Sequence, residues 1–114
     1  MRIVNIIGAL NGACALIMLA VAMHAMRGLS EHGMESIRMA AFVQLISGAA
    51  LIAIANRAGR LNAVAGTMIG AGAAIFAGAI YGSYAAANPM LLFAAPLGGL
   101  LMIVGWILLA FAAL

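Results

Sequence analysis

Apolar residues fill four long blocks of this chain, at 3–26, 39–55, 63–87 and 90–114, and polar residues gather in three short breaks between them. A helix needs roughly 20 mainly apolar residues to cross a hydrocarbon core of about 30 Å. All four blocks reach or approach that length, the second being the shortest. Backbone donors and acceptors cannot stay unpaired in lipid, so a span must be a helix or part of a closed barrel. The short alternating segments of a barrel strand are not seen. The pattern therefore predicts an all-α integral membrane protein, with residues 1–114 forming one bundle of four transmembrane helices.

The first block has to be weighed against a signal peptide. Its apolar run is longer than a typical h-region of about 7–15 residues and runs into Arg27, while Ala20-Val21-Ala22 is a poor cleavage site. Ala13-Cys14 invites a lipoprotein reading, but Asn11 stands where such a signal has an apolar residue. The first block is expected to remain as helix 1. Composition agrees with a membrane chain, at 68% hydrophobic and 6% charged residues, against about 25% charged in ordinary soluble domains.

Five arginines against two acids give a net charge of +3. They are spread among membrane-edge breaks and form no basic stripe, which argues against nucleic acid and for lipid head groups as the anionic partners. With four spans, Arg2, Arg57 and Arg60 share one side, and Arg27 and Arg38 the other. Positive residues near span ends favour the cytoplasm, so both termini are expected inside. Single Cys14 has no partner for an internal disulfide and reads as a small buried residue.

Helix 3 repeats small residues every fourth position, at Gly66, Gly70, Ala74, Gly78 and Gly82. Lipid tails are as apolar as Leu, so close packing and interhelical hydrogen bonds drive association. The row is expected to be a packing face, the alternative being a glycine-lined permeation path. Gly8 and Gly12 in helix 1, and Gly98 and Gly99 in helix 4, offer shorter versions. Helix 4 is expected to start near Asn88-Pro89, with Pro96 producing a kink or a short re-entrant start. Trp106 lies deeper than an interfacial belt would place it.

Ionisable groups inside spans are costly unless they pair or serve a function. None is firmly placed at mid-membrane here. His24, near the end of helix 1, is the nearest candidate for proton transfer or metal binding, against the simpler reading of an interfacial His. Residues 23–35 gather both histidines, both acids and three methionines, yet match no recognised ligand spacing for Cu(I) or Zn. That segment is expected to be a loop in which Arg27, Glu31, Glu35 and Arg38 pair weakly. Asn5, Asn11, Gln44, Ser47, Thr67, Tyr81 and Ser83 place neutral polar groups in or near spans, where helix-to-helix hydrogen bonds account for them more simply than a wet cavity. No catalytic triad, phosphate-binding loop or zinc pattern is present. The expectation is no enzyme, no cofactor and no metal.

Phe76-Ala77-Gly78-Ala79-Ile80-Tyr81, Ala95-Pro96-Leu97-Gly98-Gly99 and Gly105-Trp106, with Ala22-Met23-His24 earlier, resemble the small inner-membrane family called domain of unknown function 423, related to eukaryotic transmembrane protein 256. The likeness covers almost the whole chain. It implies a four-span bacterial plasma-membrane protein and implies no activity. His24 matches the family's Gly-Ala-His element, with Ala22 and Met23 replacing its first two residues. Gln44 matches a Tyr-Gln element in which Val43 replaces Tyr, and Ser47 stands where the family often has a second His. That departure weakens any reading of paired histidines holding haem or metal.

Two classes of function follow. The leading one is a structural or accessory protein packing with itself as a homo-oligomer or with a larger membrane complex. The other is a small transporter or channel. Small multidrug transporters have a similar size but rely on a membrane-embedded Glu in the first helix, where this chain reads Asn11-Gly12-Ala13-Cys14.

Overall fold

A computed structural model describes residues 2–25 and 28–114. Each apolar block closes into a helix because its backbone groups then pair within the segment. The elements are α1 (Arg2–His24), α2 (Glu31–Ile54), α3 (Arg60–Ala85), a 3₁₀ segment (Pro89–Ala94) and α4 (Ala95–Ala112). Four stretches, the last running from Pro89 to Ala112, are long and apolar enough to cross a membrane. The fold class expected from the sequence is the one observed.

The first break is shorter than the polar residues suggest. Residues 31–38, expected in a loop, form the first two turns of α2. Ser30 caps that helix, its Oγ accepting from the Gly33 N–H at 3.0 Å, and Glu31 places negative charge in the first turn, where the helix dipole favours it. Hydropathy falls over these polar turns while the helix continues. Glu31, His32, Glu35 and Arg38 are exposed, whereas Gly33 and Ile37 are buried. No ion pair joins Glu31, Glu35 and Arg38 among the described residues, and Arg27 lies outside those residues.

The second break ends at Gly59, whose φ of 111° is strained for any residue with a Cβ. At the third break the chain leaves α3 through Ala87, at φ 51°, while the Asn88 N–H donates to Ser83 O at 3.0 Å. Glycine normally occupies a left-handed position after a helix. Ala87→Gly is therefore expected to raise stability by about 0.5–1 kcal/mol, the relief of left-handed strain exceeding the added unfolded-state entropy. A lower melting temperature in detergent would refute this.

Asn88 Oδ1 then accepts from the Met90 N–H at 3.1 Å and starts the 3₁₀ segment. Pro96 does not kink a helix interior. It lies in the first turn of α4, just past the 3₁₀ segment, where a missing N–H costs little.

The α3 helix is the centre of the bundle, packing against α1, α2 and α4, while α1 also packs on α2. At two crossings the backbones nearly touch. A Cβ on Gly8 would stand 2.8 Å from Gly48 O, and one on Gly72 would stand 2.7 Å from Gly98 O. A Cβ on Gly105 would meet Ile69 and the Ala65 carbonyl, the latter at 3.1 Å. These pairs fix α1 on α2 and α4 on α3.

The expected ridge of α3 packs only in part. A Cβ on Gly66 would meet Val4 at 3.0 Å, and one on Gly70 would meet Ile7 at 2.5 Å. Ala74 is exposed, Gly78 has no neighbour within 4 Å of a built Cβ, and Gly82 would touch only Leu91, at 3.1 Å. A helix turns about 100° per residue, so a row of every fourth residue drifts about 40° per step and winds off a straight neighbour. The ridge starts in the interface and ends outside it.

Candidate functional site

Three helices meet through a chain of neutral polar side chains. Tyr81 OH in α3 donates to Gln44 Oε1 in α2 at 2.9 Å, and Gln44 Nε2 donates to Asn11 Oδ1 in α1 at 3.0 Å. Asn11 Nδ2 in turn donates to Ile7 O at 3.0 Å within its own helix and to Gly70 O in α3 at 3.4 Å. All three side chains are buried. The sequence explains how the amide reaches so far. Gly8 and Gly12 flank Asn11, letting α1 approach α2, and Gly70 leaves its carbonyl uncovered.

An amide or hydroxyl buried without a partner is costly, and in this arrangement each group supplies what its neighbour lacks. Burial also strengthens a linked set of hydrogen bonds. None of the three residues is acidic or basic at neutral pH. The network can hold α1, α2 and α3 in one register, but its members offer no carboxylate, amine or imidazole for proton exchange.

Asn11 and Gln44 also line a cleft of about 390 Å³ whose walls include Cys14, Thr67, Ala71 and Ala74. Part of the α3 small-residue row thus borders open space instead of a helix. Ser47 is buried separately, its hydroxyl donating to Met102 Sδ at 3.8 Å and tying α2 to α4. Thr67 and Ser83 return their hydroxyls to carbonyls of their own helix, Ala63 O and Ile80 O, both at 2.8 Å.

Of the singled-out polar residues, Gln44 and Tyr81 come together, and Ser47 lies on α2 three residues beyond Gln44. His24 does not join them. It is exposed at the end of α1, 13 residues beyond Asn11 and about 20 Å further along the axis. No group of three or more His, Cys, Asp or Glu forms among the described residues. Asn11 was one of several polar positions in the sequence, and nothing in the spacing singled it out as the link between Gln44 and Gly70. Its signal was the pair of glycines beside it.

A family model described as a protein of unknown function, DUF423, matches residues 18–99, which include Gln44, Ser47 and Tyr81. The chain belongs to that family. A UPF0382 membrane protein of Staphylococcus aureus (strain bovine RF122 / ET3-1) is 33% identical over 116 residues, an alignment spanning 98% of this chain and 95% of the relative. No solved structure matches the chain. The membrane-protein relative and the four apolar helices together make this DUF423 protein a small multi-pass membrane protein. The family resemblance read from the sequence is thus upheld by the family model over residues 18–99.

Proposed function

We propose that this DUF423 protein is a non-enzymatic structural or accessory component of the bacterial plasma membrane, packing with itself or with a larger membrane complex. The observation that carries the reading is the Asn11–Gln44–Tyr81 network, in which the polar groups buried between α1, α2 and α3 bind one another. A coupled carrier usually keeps an ionisable side chain near mid-membrane to hold proton and substrate alternately. The acids of this chain, Glu31 and Glu35, instead sit exposed in the first turns of α2.

The purified protein, reconstituted in liposomes under an imposed pH gradient, is expected to give no proton flux with any cationic substrate offered. Substrate-dependent flux abolished by His24→Ala would overturn this reading in favour of a transporter. Purification from native membranes, with identification of co-purifying proteins, tests the partner half of the proposal.

Both termini face the cytoplasm in this reading. Arg2, Arg57 and Arg60 at one end outnumber Arg27 and Arg38 at the other, and the positive-inside rule counts such residues near span ends. Reporter fusions at the C-terminus are expected to give a cytoplasmic signal, and fusions after Gly28 an external one. The reverse pattern would invert the topology.

A further inference from the structure

The outer face between α1 and α3 carries a groove that runs inward from the end of the bundle bearing Arg2 and Arg60. Its first part, about 510 Å³, is lined by Arg2, Ile3, Val4, Ala63 and Thr67. Arg60, Val64 and Met68 join Ala63 and Thr67 around an adjoining hollow of about 290 Å³. Thr67 also borders the cleft of about 390 Å³ beside Ile7, Leu10, Ala71 and Ala74. The three hollows adjoin at Thr67, and their α3 walls run from Arg60 to Ala74 as one track.

Ala74 lies 14 residues beyond Arg60, about 21 Å along the helix. One leaflet contributes about 15 Å of hydrocarbon, so the track covers the depth of a single leaflet with a head-group region above it. Its walls are mainly apolar where acyl chains lie, with Asn11, Gln44 and Thr67 as the polar lining, and basic where phosphates lie. The acidic side chains, Glu31 and Glu35, open α2 at the other end of the bundle. Neither Arg2 nor Arg60 forms an ion pair among the described residues. Small residues at 63, 67, 71 and 74 keep the floor low. Of the α3 small-residue row, Gly70 and Ala74 border this groove.

We propose that this groove binds one anionic phospholipid, its head-group phosphate held by Arg2 and Arg60 and an acyl chain lying along α3 past Thr67 to Ala74. The charge pattern selects the occupant, because an apolar groove alone would accept any lipid. The site is independent of which side of the membrane that end occupies.

Native mass spectrometry of the full chain in detergent, with phosphatidylglycerol and phosphatidylcholine of matched acyl chains, tests this. Phosphatidylglycerol is expected to be retained preferentially, on the order of tenfold, and Arg2→Gln or Arg60→Gln each to reduce that preference about fivefold. Arg38→Gln makes the same charge change at the other end and is expected to leave the preference intact. Thr67→Trp, at an exposed position, is expected to lower retention of both lipids by filling the groove. Melting temperatures in lipid-free detergent are expected to stay at the wild-type value for all four variants. Equal retention of the two lipids by the wild type would overturn the proposal, as would an Arg38→Gln effect equal to that of Arg2→Gln. Displacement of the lipid by inorganic phosphate at similar concentration would mark a free-phosphate site, and unaltered binding in Thr67→Trp would remove the acyl groove; either result also overturns it.

Discussion

Gly98→Leu is expected to release α4 from the bundle. A Cβ at Gly98 would stand directly against the Phe76 backbone nitrogen and 2.6 Å from Gly72 O. These are backbone atoms of α3, so no rotamer change can clear them, and the two helices must separate. Overpacking a core typically costs about 1–3 kcal/mol, and a clash against rigid backbone belongs at or above the top of that range. The buried residues of α4 are Gly98, Met102 and Gly105, so the Gly98 crossing is one of its few closely packed points. Gly48→Leu is expected to act similarly on α1 and α2, since its Cβ would lie 2.6 Å from Gly8 O.

Gly78→Leu is the contrasting variant. It belongs to the most regular small-residue row in the sequence, yet its added side chain would enter open space. An exposed substitution of this kind stays within about 0.5 kcal/mol of wild type. Detergent melting curves should therefore show a large loss for Gly98→Leu and almost none for Gly78→Leu. Similar losses in the two would mean that Gly78 faces a second protein surface or that the α3–α4 contact is looser than described.

Gln44→Leu is expected to destabilise the bundle by about 1–2 kcal/mol, because it strips a partner from both Tyr81 OH and Asn11 Oδ1 while filling nearly the same volume. The penalty for orphaned buried groups alone would reach about 1–3 kcal/mol. Interhelical hydrogen bonds in membranes average nearer 0.6 kcal/mol, because a loosened bundle finds other partners, which keeps the expected value low in that range. Tyr81→Phe, which removes one donor, should cost less. The double variant Gln44→Leu, Tyr81→Phe should be no worse than Gln44→Leu alone, since the hydroxyl left orphaned by the first change is absent in the second. A double-mutant cycle by reversible unfolding in mixed micelles measures the coupling. Additive losses would show that the two residues act independently and that the linked network does not hold the helices.

Much of this protein was legible from its sequence. Block length and the lack of charge forced helices, because a backbone in lipid must satisfy itself, and the polar breaks marked the three reversals. The chain was less informative at interfacial depth: residues 31–38 are as polar as a loop, yet Ser30 caps a helix through them. Which face of each helix lies inside depended on tertiary structure. In water, an apolar stripe identifies the buried side, but around this bundle lipid and core are equally apolar and no such stripe is required. The repeat on α3 therefore selected Gly78, which faces outward, while Gly48, Gly72 and Gly105 were fixed as contacts only by the approach of a second helix. Asn11, Gln44 and Tyr81 were visible as polar residues on three separate spans. That they form one hydrogen-bonded chain followed from the rotation and depth of those spans, set by backbone approach at glycines that no single helix's periodicity distinguishes.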